Sequence, residues 1–379
     1  MAVSYPHIYA HVPFCGRRCS YCDFAIAVRK SVPVDRYVEN ILRELVSRGG
    51  GDFSTGIGTI YLGGGTPSKL GGEGITALLH GIREFAGVDK FSTGMREVTV
   101  EANPEDISVD VVRAWRTAGV NRVSLGVQSF DPRVLSWMHR GHSPEEAEAA
   151  VQTIREGGID EISLDLIFAI PEQVGASRLA EDLDRAVALE PTHLSVYGLT
   201  VEPRTPLGRW TARGAVEEAP EERYATEFLL AHDRLSAAGF EHYEVSSYAR
   251  PGHRAIHNAA YWSGVPYLGL GPSAHGFDGR VRRWNTSAYA EWTTQVEQGI
   301  DPLAGEETIG PDERLAEAVY LGLRTIDGLT IRPADRTTIG PWIDAGWARH
   351  EGDRLVLTPD GWLRIDALAA ALTSVRSRS

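Results

Sequence analysis

Six short runs of β-branched, aromatic and aliphatic residues alternate with amphipathic helical stretches through roughly the first half of the chain, and this alternation limits the fold more than any other feature. The strand candidates are Ile8–Phe14, Thr59–Gly64, Glu97–Ala102, Arg122–Gln128, Glu161–Ile170 and His193–Leu199. Between them, Val34–Ser47 places Val34, Tyr37, Val38, Ile41, Leu42 and Leu45 on one face at a helical period. Gly74–Phe85, Val109–Ala118, Pro144–Glu156 and Ser177–Leu189 follow the same scheme. Ser143-Pro144-Glu145-Glu146 has the form of a helix start, with serine at the N-cap, proline at the first helical position and acids in the first turn. Repeated strand–helix units predict a parallel sheet, and in such folds function gathers at the C-terminal ends of the strands.

The conspicuous motifs fall at those ends. Cys15, Cys19 and Cys22 are the 3 cysteines of the chain, and all sit in one short window after the first strand. Three thiols cannot form a self-contained disulfide set, and they are one ligand short of a closed zinc site or a fully ligated iron–sulfur cluster. A centre with three protein ligands keeps one metal position open, as a catalytic or substrate-binding metal does. A zinc site or a chance cluster is the plain alternative. Gly63-Gly64-Gly65-Thr66-Pro67 ends the second strand, where glycines let backbone approach a ligand closely. Glu101-Ala102-Asn103-Pro104 ends the third and Gln128-Ser129-Phe130 the fourth. Glu101 and Asp165 read as carboxylates inside otherwise apolar strands, a costly placement without a partner such as a ribose hydroxyl, an ammonium group or an arginine. Arg140 is suited to bidentate capture of a carboxylate.

A chain of 379 residues, 42% of them hydrophobic, supports one large domain and a smaller one. The expected division is 1–205 for the barrel, 206–304 for an extension covering it, and 305–379 for a winged-helix-like C-terminal domain. In that last part a helix from about Gly310 and a second helix precede a two-stranded wing near Arg354–Leu357 and a final helix from Trp362. Glu221–Ala238 reads as a long helix in the extension. The formal net charge of -13 and the 12 acidic against 9 basic residues from Gly305 onward argue against nucleic-acid binding. No stretch approaches the length of a membrane span, and the N-terminus has no basic region followed by an apolar run, so neither a span nor a signal peptide is expected. Clustered thiolates without disulfide partners fit a reducing, cytoplasmic setting, with peripheral contact to a membrane complex left open.

The C-x3-C-x2-C spacing resembles the radical S-adenosylmethionine (radical SAM) superfamily, and Gly63–Pro67 resembles its GGxTP element. The resemblance implies a partial (β/α)6 barrel open on one side, a [4Fe-4S] cluster held by Cys15, Cys19 and Cys22, and SAM on the fourth iron. Tyr9-Ala10-His11-Val12-Pro13-Phe14-Cys15, Tyr21-Cys22-Asp23-Phe24, Gly126–Phe130 and Asp165-Leu166-Ile167 are similar to the group that contains oxygen-independent coproporphyrinogen III dehydrogenases and the HemW heme chaperones. By that match, Tyr9, Gly64, Glu101 and Cys22 fall where the dehydrogenase meets its cluster-bound SAM. Tyr21, Gly65, Thr66, Gln128, Arg140 and Asp165 fall where that family binds a second SAM. The dehydrogenases carry another cysteine two residues after the third and a longer N-terminal extension; Phe24 stands at that position here, and fourteen residues precede Cys15. His257-Asn258-Ala259-Ala260-Tyr261-Trp262 matches the H-N-x-x-Y-W element of the chaperones. It marks His257 as the candidate heme ligand, with His242, His253 and His275 as rivals. Heme, acceptor proteins such as respiratory enzymes, and a reductant such as flavodoxin or ferredoxin are the implied partners. The alternative is a dehydrogenase that decarboxylates coproporphyrinogen III, and a third option is a radical SAM methylase or cyclase of a small metabolite.

Overall fold

The computed structural model describes residues 4–48, 56–87, 95–174 and 178–378. Six parallel strands follow in chain order: β1 (His7–Val12), β2 (Thr59–Gly64), β3 (Glu97–Ala102), β4 (Arg122–Gln128), β5 (Glu161–Phe168) and β6 (His193–Gly198). The longer helices between them are α1 (Val34–Ser47), α2 (Gly71–Ala86), α3 (Val109–Ala118), α4 (Pro144–Glu156) and α5 (Leu179–Ala188). This is the parallel sheet that the alternation predicts and the partial (β/α)6 barrel that the resemblance implies. The expected first helical residue of α5, Ser177, lies outside the described residues. The first strand stops at Val12 rather than Phe14 because Pro13 has no N–H for the ladder; Phe14–Cys15 forms a separate short strand paired with Ala27–Val28. β5 stops at Phe168 rather than Ile170, where Ala169 takes a positive φ of 58°. Local chemistry fixes the helix starts: Ser143 accepts from the Glu146 backbone N–H at 3.2 Å while Glu146 accepts from that of Ser143 at 2.6 Å, a closed capping box at α4.

Each strand has two unlike faces. Ile8, Ala10 and Val12, Ile60 and Leu62, Val98 and Val100, Val123 and Leu125, Leu164 and Leu166, and Leu194 and Val196 join the main hydrophobic core under the helices. The other face carries His7, Tyr9, Thr59, Tyr61, Glu97, Glu101, Arg122, Ser124, Ser163, Asp165, His193 and Ser195. The strands are therefore not apolar runs with a stray carboxylate, as Glu101 and Asp165 suggested; apart from Gly63, Gly126 and Ile167, every second residue is polar or aromatic, and the polar set shares one face. Cross-strand bonds such as Ser163 Oγ to His193 Nδ1 at 2.7 Å satisfy much of it, while Arg122 Nη2 is buried without a hydrogen-bond partner among the described residues.

The extension does more than cover the barrel. It adds β7 (Glu241–Glu244), β8 (Ser247–Ala249) and β9 (Leu268–Leu270), giving a nine-stranded order β9-β1-β2-β3-β4-β5-β6-β8-β7. β9 joins β1 in parallel, and β8 joins β6 antiparallel. The long helix spans Glu221–Ala237. A three-stranded antiparallel sheet of His275–Phe277, Val281–Asn285 and Leu303–Thr308 lies beyond it. The C-terminal part holds helices Pro311–Arg324, Arg336–Asp344 and Ile365–Arg376 around a small sheet in which Ala348–Glu351 and Leu329–Thr330 flank Arg354–Leu357. The wing is thus three-stranded, and a short helix Pro359–Trp362 precedes the last one, which starts at Ile365. Among the described residues no helix is long and apolar enough to cross a membrane.

Glu44 ties the extension to the barrel. It is fully buried on α1, and its carboxylate accepts from Asn285 Nδ2 at 2.7 Å, Trp292 Nε1 at 2.9 Å, the Gly271 N–H at 2.9 Å and Arg48 Nη1 at 3.0 Å. Removing the carboxylate strands several buried donors and an arginine. Glu44→Ala is expected to lower the unfolding free energy by about 3–5 kcal/mol in urea denaturation; a loss under about 1 kcal/mol contradicts this role.

Candidate cofactor site at the C-terminal ends of the strands

The cysteine loop is pinned before any metal is considered. Ala27 N–H donates to Pro13 O at 2.7 Å and Arg29 N–H to Cys15 O at 3.0 Å, closing the loop at its base. At its tip Ser20 N–H donates to Met138 O at 3.1 Å and Leu207 N–H to Ser20 O at 2.8 Å. The three thiols are free and half-buried, and all line one cavity of about 550 Å³. Thr66 Oγ1 lies 3.3 Å from Cys15 Sγ, and Arg140 Nη1 donates to Cys19 Sγ at 3.7 Å. Burial pushes the Cys22 thiol up to about 11, and that of Cys15 upward, so a positive centre is what would hold them as thiolates.

Tyr21, Gly64, Gly65, Thr66, Glu101, Gln128, Arg140 and Asp165 line the same cavity. Gly64 has a φ of 107°, and a Cβ there would fall 2.5 Å from the His11 imidazole. Only glycine fits, and its N–H donates to Glu101 Oε2 at 2.9 Å. Tyr61 hydroxyl donates to the other oxygen, Oε1, at 2.8 Å. Asp165 accepts from Ser124 Oγ at 3.1 and 3.2 Å. Neither carboxylate makes an ion pair among the described residues. Their partners are hydroxyls and a backbone amide, not the arginine that would make a structural salt bridge. Burial raises Glu101 to about 7, against the pull of Tyr61, and Asp165 to about 6, against Ser195 and Ser124.

Arg140 Nη2 donates to Asn103 Oδ1 and to Gly126 O, both at 2.6 Å, while its buried Nε has no hydrogen-bond partner among the described residues. Gln128 and the neighbouring His139 adopt positive φ of 69° and 60° at the cavity wall. Such backbone costs about 1–3 kcal/mol per residue and collects at ligand sites. Tyr9 stands just below, stacked on Tyr61 at 6.1 Å, with its hydroxyl 3.1 Å from His11 Nδ1. Phe24, where the dehydrogenases carry a cysteine, is 58% exposed at the rim.

His257 lies elsewhere. It sits on helix Ile256–Trp262 with no exposed surface, toward the opposite end of the strands. Its Nδ1 is 2.6 Å from Thr59 Oγ1, its Nε2 is 2.9 Å from the Tyr261 hydroxyl, and its backbone N–H donates to Glu97 Oε1 at 2.9 Å. Its ring stacks on Tyr61 at 5.1 Å. Among the rivals, His242 is buried against Val245 O, His253 pairs with Glu161 at 2.6 Å, and His275 is exposed and stacked on Trp284. Tyr61, Ser124 and Asn103 escaped the sequence reading as site residues. The period-two polar pattern of β2 and β4 marks the first two; nothing local marks Asn103 as the partner of Arg140.

The residues present fit a cluster with an open iron. Three thiols border one cavity, together with the backbone of the Gly64–Thr66 turn. With Glu101 raised above its ordinary range, its ionisation opposes folding as the pH rises. Its contribution is fully present below about 4.5 and is lost through about 7. Glu101→Gln should therefore gain stability relative to the parent between those values and hold a constant difference above them. Parallel denaturation curves at all pH values would contradict the shift.

The radical SAM superfamily model matches residues 9–182. The heme chaperone HemW of Mycobacterium tuberculosis is 38% identical over 371 residues, covering 96% of this chain and 94% of its own. That of Bacillus subtilis is 33% identical over 322 residues, covering 85% and 84%. That of Escherichia coli is 38% identical over 281 residues, covering 73% and 72%. The structure of coproporphyrinogen III oxidase (HemN) from Escherichia coli, a radical SAM enzyme, superimposes with a TM-score of 0.79 over 98% of this chain and 91% of that one, at 22% identity, which shows the shared fold. A cysteine loop, a glycine turn and two buried carboxylates converge at the strand ends of this barrel, and the chain belongs to the HemW family of the radical SAM superfamily.

Proposed function

We propose that the protein is a heme chaperone that binds heme and passes it to acceptor proteins such as respiratory enzymes. A [4Fe-4S] cluster and SAM would control its state. The observation that carries this reading is the near full-length similarity to chains named heme chaperone HemW. Phe24 in place of a further cysteine supports it over a coproporphyrinogen dehydrogenase.

In this reading Cys15, Cys19 and Cys22 hold three irons of the cluster, which when bound supplies an electron for reductive cleavage of SAM. Glu101 and the Gly64 backbone border the cluster-bound SAM beside Cys22, and Tyr9 supports them from below through Tyr61. Tyr21, Gly65, Thr66, Gln128, Arg140 and Asp165 surround a second SAM position. There Arg140 would exchange Asn103 and the Gly126 carbonyl for a carboxylate. His257 is the heme ligand, and ligation requires its bond to Tyr261 to break. The reductant would be a flavodoxin or ferredoxin.

Two measurements test this. Anaerobic reconstitution of Cys19→Ala is expected to lose the visible absorption of the four-iron cluster; retention of a full cluster contradicts the ligand set. Heme titrated into the parent protein should saturate in the Soret band, with affinity about tenfold or more weaker in His257→Ala. A parent with no saturable binding, or with multiple turnovers of coproporphyrinogen III under reductant and SAM, overturns the chaperone reading.

A further inference from the structure

The surface around the cysteine loop has a charge opposite to that of the chain as a whole. The formal net charge is -13, yet Arg17, Arg18, Arg29 and Lys30 are exposed on the loop or just after it. Arg209 and Arg213 join them from helix Pro206–Ala212 and its C-cap, held to the loop tip by Leu207 N–H to Ser20 O at 2.8 Å. Three of the six donate to backbone: Arg17 Nη1 to Arg140 O at 3.3 Å, Arg209 Nη1 to Arg204 O at 3.3 Å and Arg213 Nε to Arg209 O at 3.1 Å. None of the six forms an ion pair among the described residues. Exposed arginines elsewhere, such as Arg36, Arg43, Arg234 and Arg349, meet a carboxylate at 2.6–2.7 Å. The carboxylates near this surface are Asp23, Glu202 and Glu105, and Glu105 faces His142 Nδ1 at 3.5 Å. Two large apolar side chains lie among the cations: Phe24 is 58% exposed and Val28 51%. Phe24 stands two residues after Cys22, and Val28 is the strand partner of Cys15.

Resting on the cluster assignment above, we propose that this surface docks a small acidic protein that carries one electron. Arg209, Arg213 and the arginines of the loop would steer it, and Phe24 and Val28 would form the dry centre of the contact. A charged rim around an apolar centre is the ordinary anatomy of a protein interface. Cations without an internal carboxylate remain available to a partner's acids, and such complementarity raises the rate of encounter. The other neighbours of the thiols are the glycine turn, Arg140 and the cavity itself, so the loop is the side left to a second protein. A compact acidic protein covers the cationic surface alone. A nucleic acid or an anionic membrane would also overlie the acidic remainder of the chain. In the transfer the carrier loses one electron and the cluster gains it; no bond or proton changes place.

The test uses the full chain with its cluster reconstituted and two acidic probes, a flavodoxin and a ferredoxin. The chain has 3 lysines: Lys30 in this surface, Lys69 held by Asp106, and Lys90, which lies outside the described residues. Carbodiimide coupling of the carrier's carboxylates is expected at Lys30 by peptide mass spectrometry, and should fade at about 0.5 M salt. Stopped-flow reduction of the cluster by the carrier should slow about fivefold or more in Arg209→Glu/Arg213→Glu at low ionic strength. Iron content and the extent of reduction by dithionite should stay parental. Arg336→Glu/Arg349→Glu makes the same change of net charge on the C-terminal domain and should leave the rate within about twofold. Charge-dependent reduction by either carrier supports the docking surface, and the faster carrier names the prosthetic class. Coupling at Lys90 or the N-terminus in place of Lys30, or equal slowing in both pairs, overturns it. Phosphatidylglycerol vesicles that bind the parent but not Arg209→Glu/Arg213→Glu, with carrier reduction unchanged, assign the surface to a membrane and overturn it too. A parent that assembles no four-iron cluster defeats the cluster reading instead, and the coupling pattern still decides the surface.

Discussion

The structure depends on one constraint: six parallel strands whose interior face is polar. A barrel of this kind usually fills with branched apolar side chains. Here apolar residues face the helices, and histidines, tyrosines, serines and carboxylates face inward, where each must find a partner or cost stability. The solution is a set of short cross-strand contacts from one end of the strands to the other. Thr59 bridges His7 and His257, the ring of His257 lies on Tyr61, and the Tyr61 hydroxyl holds Glu101 beside Gly64. Glu101 thereby faces the cysteine cavity already oriented, and its burial leaves it poised near neutrality for a ligand able to donate hydrogen bonds or carry positive charge.

Much of this was legible in the chain. The strands Thr59–Gly64, Glu97–Ala102 and Arg122–Gln128 and the helices Val34–Ser47, Val109–Ala118 and Pro144–Glu156 have the bounds that periodicity and capping predict, because their signals are local. The cysteine window, the glycine turn and Arg140 also announce themselves by spacing and type, and the strand-end rule brings them together. What stayed hidden depends on long-range pairing. Leu268–Leu270 is a three-residue strand in a glycine-rich stretch, and only its register with Ile8–Ala10 makes it part of the sheet. Glu44 looks like an ordinary charge on an amphipathic helix, yet beside Arg48 its partners Gly271, Asn285 and Trp292 come from more than two hundred positions away. The interior polar face was readable in principle, since His7, Tyr9 and His11, or Glu97, Thr99 and Glu101, recur with a period of two; the intervening Ile8, Ala10, Val98 and Val100 mask it.

His257 shows how a motif and its environment differ. The sequence places it in an element associated with heme, and the fold places it in the least accessible layer of the barrel. Burial drives its pKa down to about 3, reinforced by nearby His7, so the imidazole is neutral and has a lone pair available to a metal once its hydrogen-bond partner moves. The same helix touches the barrel through Glu97 and, on its other side, lines a cavity shared with the C-terminal helices.

The central claim is that three cysteines hold a four-iron cluster with one iron left for SAM. Metal analysis of anaerobically purified protein, combined with electron paramagnetic resonance of the reduced protein before and after SAM is added, tests it most directly. The account predicts about four irons per chain and a cluster spectrum that changes on SAM addition. Zinc in place of iron, or a cluster spectrum indifferent to SAM, would contradict it.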